Sequence, residues 1–342
     1  MSRTYKNMKK FFIYFLILLI SLSSLSCSIN KLAYKFNTKD IKIALVLPGS
    51  INDGLWNEAA YNGLKRFEED HKKVDIAIVE KIDLQDAKEI FSRLGEKKFD
   101  LVIGYNYNYG FVVKKIARMY PDTFFCVINN EISQEPNLCS FNFKDEQYGY
   151  LLGIVAGINT STNKVGIVVA KKLPFIEEVI LGMRKGLRST NPKADLIVSY
   201  INTKNDIGKG REAGVAQINN GVDVITHLAG IAGIGVIKAA EDADISAIGA
   251  IVDQHDLAPS TVITSVLEDA SQLIYLVCEH YFEQSLKPKA YHFGLKDQLI
   301  DITPSYGNID PTVETRINRI KSMLIDLEAE QEEEPIRKKN SN

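Results

Sequence analysis

The sequence predicts an α/β protein made of two similar lobes, each a mostly parallel sheet covered by helices. Two observations carry that prediction. Short β-rich runs alternate with amphipathic helical stretches from Ile41 onward, and after a helix over residues 145–159 the alternation starts afresh. Such alternation sets parallel strands side by side with helices on both faces. The length agrees, because a chain of 342 residues exceeds what one hydrophobic core usually serves.

The elements follow in order. Residues 41–47 form an apolar, β-branched-rich run of strand length, and residues 56–70 then carry a helical period. Strand runs at 75–80, 101–104 and 123–128 are interleaved with helices at 84–94 and 110–119, and a loop follows the last of them. The second series places strands at 164–169, 194–200, 222–225 and 246–251, with helices at 176–190, 209–220 and 234–242. Residues 261–284 read as a strand start running into a long helix. In the final stretch Val313, Ile317, Ile320, Leu324 and Leu327 recur at helical spacing, so 311–330 should pack as a helix. Residues 331–342 form a charged, frayed tail.

Ahead of the first strand lies a segment of another kind. Lys9 and Lys10 precede an apolar run over residues 11–20, and a Ser/Leu stretch leads to Ser26 and Cys27. The run is shorter than the roughly 20 apolar residues a membrane span needs and ends in small residues, so 1–26 reads as a cleaved export signal. Met8, directly before the lysines, is a more natural start than Met1. A small residue just before a cysteine is the pattern of bacterial lipoprotein signals, which makes Cys27 the lipidation site. A secretory signal with a chance cysteine is the competing reading. Stable anchoring to a bilayer takes two or more acyl chains. Residues 27–40 then form the lipidated end and a polar tether.

Composition narrows the function. Charged residues make up 25% of the chain and hydrophobic ones 45%, with a formal net charge of -2. That is a globular balance without the basicity nucleic-acid binding requires. Of the four cysteines, three remain once Cys27 carries lipid, and three thiols cannot all pair. Cys126 and Cys139 could join in one disulfide, but both sit in apolar, strand-like runs, which favours buried free thiols there and at Cys278. The five histidines lack the close spacing of metal-ligand motifs, and neither metal nor cofactor is expected.

In open α/β sheets ligands bind beyond the carboxyl ends of the strands. Three loops there hold candidate contacts. The first, residues 48–57, offers Asn52, Asp53, Trp56 and Asn57. An aromatic beside short polar side chains suits a polar planar ligand, since the ring supplies a stacking face and the carboxylate accepts hydrogen bonds. The competing reading makes Asn52 or Asp53 a helix cap and Trp56 a core residue. The second loop, residues 104–110, offers Tyr105, Asn106, Tyr107 and Asn108 either as a cleft lining or as surface. The third, residues 229–236, is glycine-rich but lacks the lysine and spacing of a phosphate cradle, so close backbone packing or approach to an uncharged ligand fits it better.

Five segments stand in an order that carries a family resemblance: Asn52-Asp53-Gly54-Leu55-Trp56-Asn57, Tyr120-Pro121-Asp122-Thr123-Phe124-Phe125, Phe143-Lys144-Asp145-Glu146-Gln147-Tyr148-Gly149, residues 229–236, and Asp253-Gln254. They resemble, in turn, the D-D-K-S-F-N, Y-P-D-x-x-F, F-K-x-E-x-x-G, A-G-G-T-G-x-G-V and G-V-D-x-D-Q motifs of the spirochaete basic membrane lipoproteins, a branch of the purine-nucleoside-receptor lipoproteins. The resemblance implies a type I periplasmic binding protein fold: two Rossmann-like lobes, a hinge with three crossovers, and a ligand held between the lobes. It implies lobes of 41–159 plus 254–288 and of 160–253 plus 289–330. It also implies a purine nucleoside as ligand, an ABC-type nucleoside transporter as partner, and placement in the cell envelope. Trp56 would replace the family's stacking Phe, and Met183 would take the position of a second one, with a core position on its helix as the competing reading.

The expected contacts are therefore Asn52 and Asp53 for polar recognition, Trp56 and Met183 for stacking, Asn57, Tyr105, Asn106 and Tyr107 for the base edge, and Gly230 and Asp253 on the far wall. Two positions depart from the family pattern. Ile251 stands where it has an acidic residue, and Glu268 where it has a lysine, and both are suspected ribose partners. Loss of such partners in an enclosed site weakens binding by orders of magnitude.

Two further classes of function compete with solute capture. A surface adhesin for a host extracellular-matrix protein is what the family's proposed role would imply, and exposed pairs such as Lys171-Lys172 and Arg184-Lys185 would be its basis, although charge runs are usually solvated surface. An enzyme such as a nucleoside hydrolase is disfavoured: the first loop has no aspartate-rich metal cluster, and no nucleophile-elbow serine or Cys/His signature is present. Asp53 and Asp253 suit hydrogen-bond acceptance, and His255 suits a structural or solvent-facing role better than that of a base. No catalytic residue is expected.

Overall fold

The computed structural model describes residues 40–340. The export signal, Cys27 and most of the tether lie outside the described residues.

Strands β1 (Ile41–Val46), β2 (Val74–Val79), β3 (Leu101–Gly104), β4 (Phe124–Ile128) and β5 (Leu138–Phe143) build the first sheet. The second is built by β6 (Lys164–Val169), β7 (Asp195–Tyr200), β8 (Val224–Leu228), β9 (Ser246–Ile251) and β10 (Val262–Glu268). The chain then returns to add β11 (Ala290–Phe293) to the first sheet and β12 (Ile300–Ile302) to the second. Each sheet has six strands, ordered β11-β5-β4-β3-β1-β2 and β12-β10-β9-β8-β6-β7. All pairings are parallel except β10 with β12. Strand β5 occupies the end of the stretch expected to be loop after β4, because Leu138 and Phe141 pack into the apolar clusters on opposite faces of the sheet.

Helices α1 (Trp56–Asp70), α2 (Leu84–Glu96) and α3 (Tyr109–Ile116) connect the first sheet. After β5 come α4 (Asp145–Asn159), then α5 (Pro174–Thr190), α6 (Ile207–Asn219), α7 (Gly233–Asp242), α8 (Ala270–Phe282) and α9 (Pro311–Asn340). Side-chain caps start several of them. Asp83 accepts from the Gln85 and Asp86 amides at α2, Asp206 from the Lys209 amide at α6, and Asp269 from the Gln272 amide at α8. Strand residues Ile43 to Val46 are inaccessible on both faces, which is why their sequence is continuously apolar rather than alternating.

The chain crosses between the sheets three times, after β5, after β10 and after β11. These crossings correct the expected lobe boundaries. Strand β10 pairs with β9 and β12, so residues 262–268 belong to the second lobe rather than the first. Helix α4 also sits with the second lobe, since its glycines lie against the backbone of α5. Helix α8 does return to the first lobe: a Cβ on Gly63 of α1 would fall 2.1 Å from the Ser271 carbonyl oxygen, and Arg66 Nη2 donates to Gln272 Oε1 at 2.5 Å. Helix α9 continues past residue 330, where a frayed tail was expected, through a stretch rich in good helix formers. Cys126, Cys139 and Cys278 are buried free thiols, the first two opposite one another in the β4–β5 register. Among the described residues no helix is long and apolar enough to cross a membrane.

Candidate ligand-binding cleft

The carboxyl ends of β1, β3 and β5 gather the first-lobe candidates. After β1 the loop is held by Glu80, whose Oε1 accepts from the Ile51 amide at 2.8 Å and from Ser50 Oγ at 3.2 Å. Asp53 then closes the start of α1. It accepts from the Leu55 amide at 3.0 Å, the Asn57 amide at 3.2 Å, the Glu58 amide at 3.1 Å and Asn57 Nδ2 at 2.6 Å. Glu58 reaches back to the Gly54 amide at 2.8 Å, which makes the turn a reciprocal cap. Burial pushes the Asp53 carboxyl up, but these four donors outweigh it and hold it below the usual carboxylate value. Asp53 is therefore spent on capping, and Asn52 beside it is exposed.

The cap fixes where Trp56 points. As the first residue of α1, it stacks on Tyr105 with ring centroids 5.0 Å apart and tilts against Phe143 at 5.9 Å. The indole is half-buried, so both readings of it hold in part: it packs on the core and still reaches solvent. Tyr105 is only 1% exposed and its hydroxyl has no hydrogen-bond partner. Asn57, 5% exposed, likewise leaves Oδ1 without a partner. Asn106 turns its own loop, accepting from the Asn108 amide at 2.9 Å. Tyr107 reaches across the cleft, its ring 6.1 Å from Phe175 at the start of α5.

The second-lobe candidates fare differently. Of the two readings of Met183 the structure takes the core one: it is fully buried between α4 and α5, where the glycine-lined approach of the two helices draws its side chain into the core and away from a stacking role. Gly230 has φ +57 and lies over the Lys204 backbone, where a Cβ would come 3.0 Å from the carbonyl oxygen. Close backbone packing accounts for it. Asp253 is exposed and occupied: Tyr306 donates to its Oδ2, while the His255 amide at 3.0 Å and Ser265 Oγ at 3.2 Å donate to Oδ1. Burial raises its carboxyl, and these bonds more than reverse the effect, the Tyr306 bond first among them. The His255 ring stacks on Tyr306 at 4.0 Å. Gly230 and Asp253 follow β8 and β9 of the second sheet, while the Trp56 group lies at the strand ends of the first.

Two buried acids lie at the ends of elements that cross between the lobes. Glu268 ends β10, and Asp145 opens α4 directly after β5, so both lie at crossings between the lobes. They are 8% and 7% exposed, and no hydrogen bond from another residue reaches either carboxylate among the described residues. Burial pushes the Glu268 carboxyl up to about 8. Asp145 rises too, through burial and then the charges of Glu268, Glu178 and Glu131. The signal for Glu268 was legible as a lost lysine; that its charge is felt by Asp145 was not. Nearby, Ile251 adopts φ +72 in a γ-turn closed by the Val252 amide on the Ala250 carbonyl at 2.8 Å. A β-branched residue pays strain there, the kind that clusters at functional sites.

Two lobes, a hinge crossed three times and aromatic groups at the strand ends describe a receptor that closes on a solute. The family described as ABC transporter substrate-binding protein PnrA-like matches residues 40–333. The chain belongs to that family. It is a family of substrate-binding proteins, not of enzymes. Basic membrane protein A of Borreliella burgdorferi is 26% identical over 326 residues, covering 92% of this chain and 93% of that protein. Among solved structures, a transcriptional activator of the comK gene from Bacillus halodurans superposes with a TM-score of 0.72 at 26% identity, covering 83% of this chain and 97% of that one. An ABC transporter solute-binding protein from Aeropyrum pernix K1 gives a TM-score of 0.74 at 18% identity, over 84% and 92% of the two chains, and supports the fold alone. This PnrA-like chain thus shares its architecture with solute-binding proteins and with a protein described as a regulator, and the ligand must be argued from its own cleft.

Proposed function

We propose that this PnrA-like chain, held to a bilayer by acyl chains on Cys27, captures purine nucleosides between its lobes and hands them to an ABC-type transporter. The observation that carries the reading is the Trp56 indole, fixed by the Asp53 cap and stacked on Tyr105, half-exposed where the lobes face each other. A rigid ring in that position offers a planar base a stacking face, and the unpartnered Tyr105 hydroxyl and Asn57 Oδ1 offer it a donor and an acceptor.

Calorimetric titration of the full-length, ligand-stripped chain in detergent with purine and pyrimidine nucleosides tests this. Purine nucleosides should bind, pyrimidines more weakly. Trp56→Ala should cost about 1–3 kcal/mol, roughly a 5- to 150-fold loss of affinity. Unaltered affinity in the variant would remove Trp56 from the site. The anchor has its own check: Cys27→Ser should move the chain from the membrane fraction to the soluble one and abolish incorporation of labelled palmitate. Retention in the membrane after the substitution would point to another anchor.

A further inference from the structure

We infer that the solute this cleft selects carries a positive charge, received between Asp145 and Glu268. This rests on the reading of the interlobe space as a solute cleft and names the class of solute.

Both carboxylates stand at crossings between the lobes, since the first crossing leaves β5 and the second leaves β10, and Tyr148, one turn on from Asp145 in α4, donates to the Val266 carbonyl two residues before Glu268. The charge of Glu268 is felt by Asp145 and Tyr148 on α4 and by Tyr105 at the end of β3. None of those neighbours is a cation. Tyr148 is already committed, accepting from the Ile251 amide at 3.0 Å and donating to the Val266 carbonyl at 3.2 Å. The cations of the surroundings are committed as well. Lys144 pairs with Glu328 on α9, Lys185 with Glu146 at 2.7 Å, and His292 with Glu131 at 2.7 Å. A hollow of about 480 Å³ beside the hinge is lined by Phe143, Asp145, Glu178, Lys185 and His292 among others, so Asp145 also borders open space.

A second, independent feature points to an occupant. The Tyr105 hydroxyl is buried without a partner, on a ring that senses both Glu268 and Asp53. Buried polar groups are nearly always satisfied, so such a group marks a place where something else supplies the partner. Tyr105, Trp56 and Phe143 together form an aromatic wall, which attracts a cation through the ring quadrupoles. No cluster of three metal-binding side chains occurs among the described residues, and a planar organic cation uses the wall and the acids together.

The chemistry favours charge over neutrality. Without a counter-ion a carboxylate out of water is costly, so burial favours the protonated form of Glu268 and pushes Asp145 in the same direction. A cationic solute replaces that proton: the acid releases it to solvent and the carboxylate receives an N–H donor in a charge-assisted bond, about twice as strong as a neutral one. A neutral nucleoside gains only the weaker bonds.

The test titrates the full-length, ligand-stripped chain in detergent with 1-methyladenosine, whose N1-methyl group fixes a positive charge at neutral pH, against adenosine. Benzamidine against benzamide provides a non-nucleoside pair of the same logic. The expected result is binding of 1-methyladenosine about ten-fold tighter than adenosine or better, with the preference lost in Glu268→Gln and reduced in Asp145→Asn. Both variants imitate the protonated acid and should melt with the parent; if one does not fold, the other carries the test. Equal or tighter binding of adenosine overturns the charge inference and leaves the nucleoside reading standing. If neither nucleoside binds but benzamidine exceeds benzamide and loses its advantage in Glu268→Gln, the charge inference stands and the nucleoside reading falls. If benzamidine shows no advantage either, both fall.

Discussion

A Gly149→Ala variant is expected to lose about 3 kcal/mol or more of stability and to melt roughly 6–12 °C below the parent. The reason is the contact between α4 and α5. A Cβ at Gly149 would lie 1.9 Å from the Val179 carbonyl oxygen and 2.9 Å from the Met183 amide nitrogen. One turn on, Gly153 would place a Cβ 2.2 Å from the Met183 carbonyl oxygen. The partner helix answers in kind, with Gly182 at 2.0 Å from the Glu146 carbonyl oxygen and Gly186 at 2.1 Å from that of Tyr150. The obstacle in each case is backbone, so no side-chain rotation relieves it. The helices must separate, and separation opens voids around Met183 and Leu187, which are buried in the main core. The companion Gly182→Ala meets the same interface, so the double variant should cost less than the sum of the singles, because the first methyl already opens the gap the second needs. Gly54 supplies the contrast. It has φ +68 and no heavy atom within 4 Å of its would-be Cβ, so Gly54→Asn should cost under about 1 kcal/mol. Differential scanning calorimetry on the three single variants and the double decides the matter. A Gly149→Ala melt within a degree of the parent would show that the two helices slide apart freely and that the close packing carries no weight.

The same helix pair shows where sequence reading succeeds and where it stops. The strand runs of residues 41–47 and 164–169 are legible because strands buried on both faces must be continuously apolar. The restart after residue 159 is legible for the same reason. For Met183 the sequence left stacking and core open, because its neighbours Gly182 and Gly186 acquire meaning only once Gly149 and Gly153 are placed opposite them. The lobe boundaries failed at residues 261–284 on a related ground. A strand followed by a helix has one sequence pattern whether both serve one lobe or the chain crosses between them. Here β10 pairs with β9 in the second sheet, while α8 leaves to pack on α1, with the Arg66 guanidinium 4.5 Å from the Tyr275 ring centre. Asp53 and Trp56 were found together because cap and ring are neighbours in sequence. Asp145 and Glu268 are distant in sequence and feel each other's charge only through the hinge, so one was read as part of a motif and the other as a missing lysine. Asp253 shows the same limit: a carboxylate at a strand end looks the same in sequence whatever it bonds, and its bonds with Tyr306, Ser265 and the His255 amide emerge only in the fold.

His227 gives the second large expectation: its own contribution to stability should fall by about 3 kcal/mol as pH drops from 6.5 to about 4, and the stability of the parent relative to His227→Gln should fall by that amount. His227 sits in β8, buried, with Nε2 2.9 Å from Gln254 Oε1. The Ala250 amide donates to that same Oε1 at 2.9 Å, so the atom is the amide oxygen and Nε2 must carry the proton. Nδ1 is then the bare nitrogen. It has no partner, and a Cβ on Gly233 would fall 2.0 Å from it, so a second proton there would find no acceptor. Burial accordingly lowers the imidazole to about 4, with the Gln254 bond acting weakly the other way. The folded state resists the proton that the unfolded chain takes up below its ordinary value of 6.5, so stability rises with pH across that interval and is lost on acidification. Glu268 acts with the opposite sign. Its folded value of about 8 lies above its ordinary 4.5, so the folded state holds the extra proton and its contribution falls as pH rises between the two. The two slopes oppose each other between pH 4.5 and 6.5, and a melt of the parent alone would show little. The difference between parent and His227→Gln isolates the imidazole, because Gln places an N–H donor near the Gln254 oxygen and cannot titrate. Chemical unfolding of both proteins across this range should give a gap in stability that changes by about 1.4 kcal/mol for each pH unit. A gap that stays constant with pH would mean that the folded state accepts the proton on His227 as readily as the unfolded chain does, which the packing of Gly233 against Nδ1 does not allow.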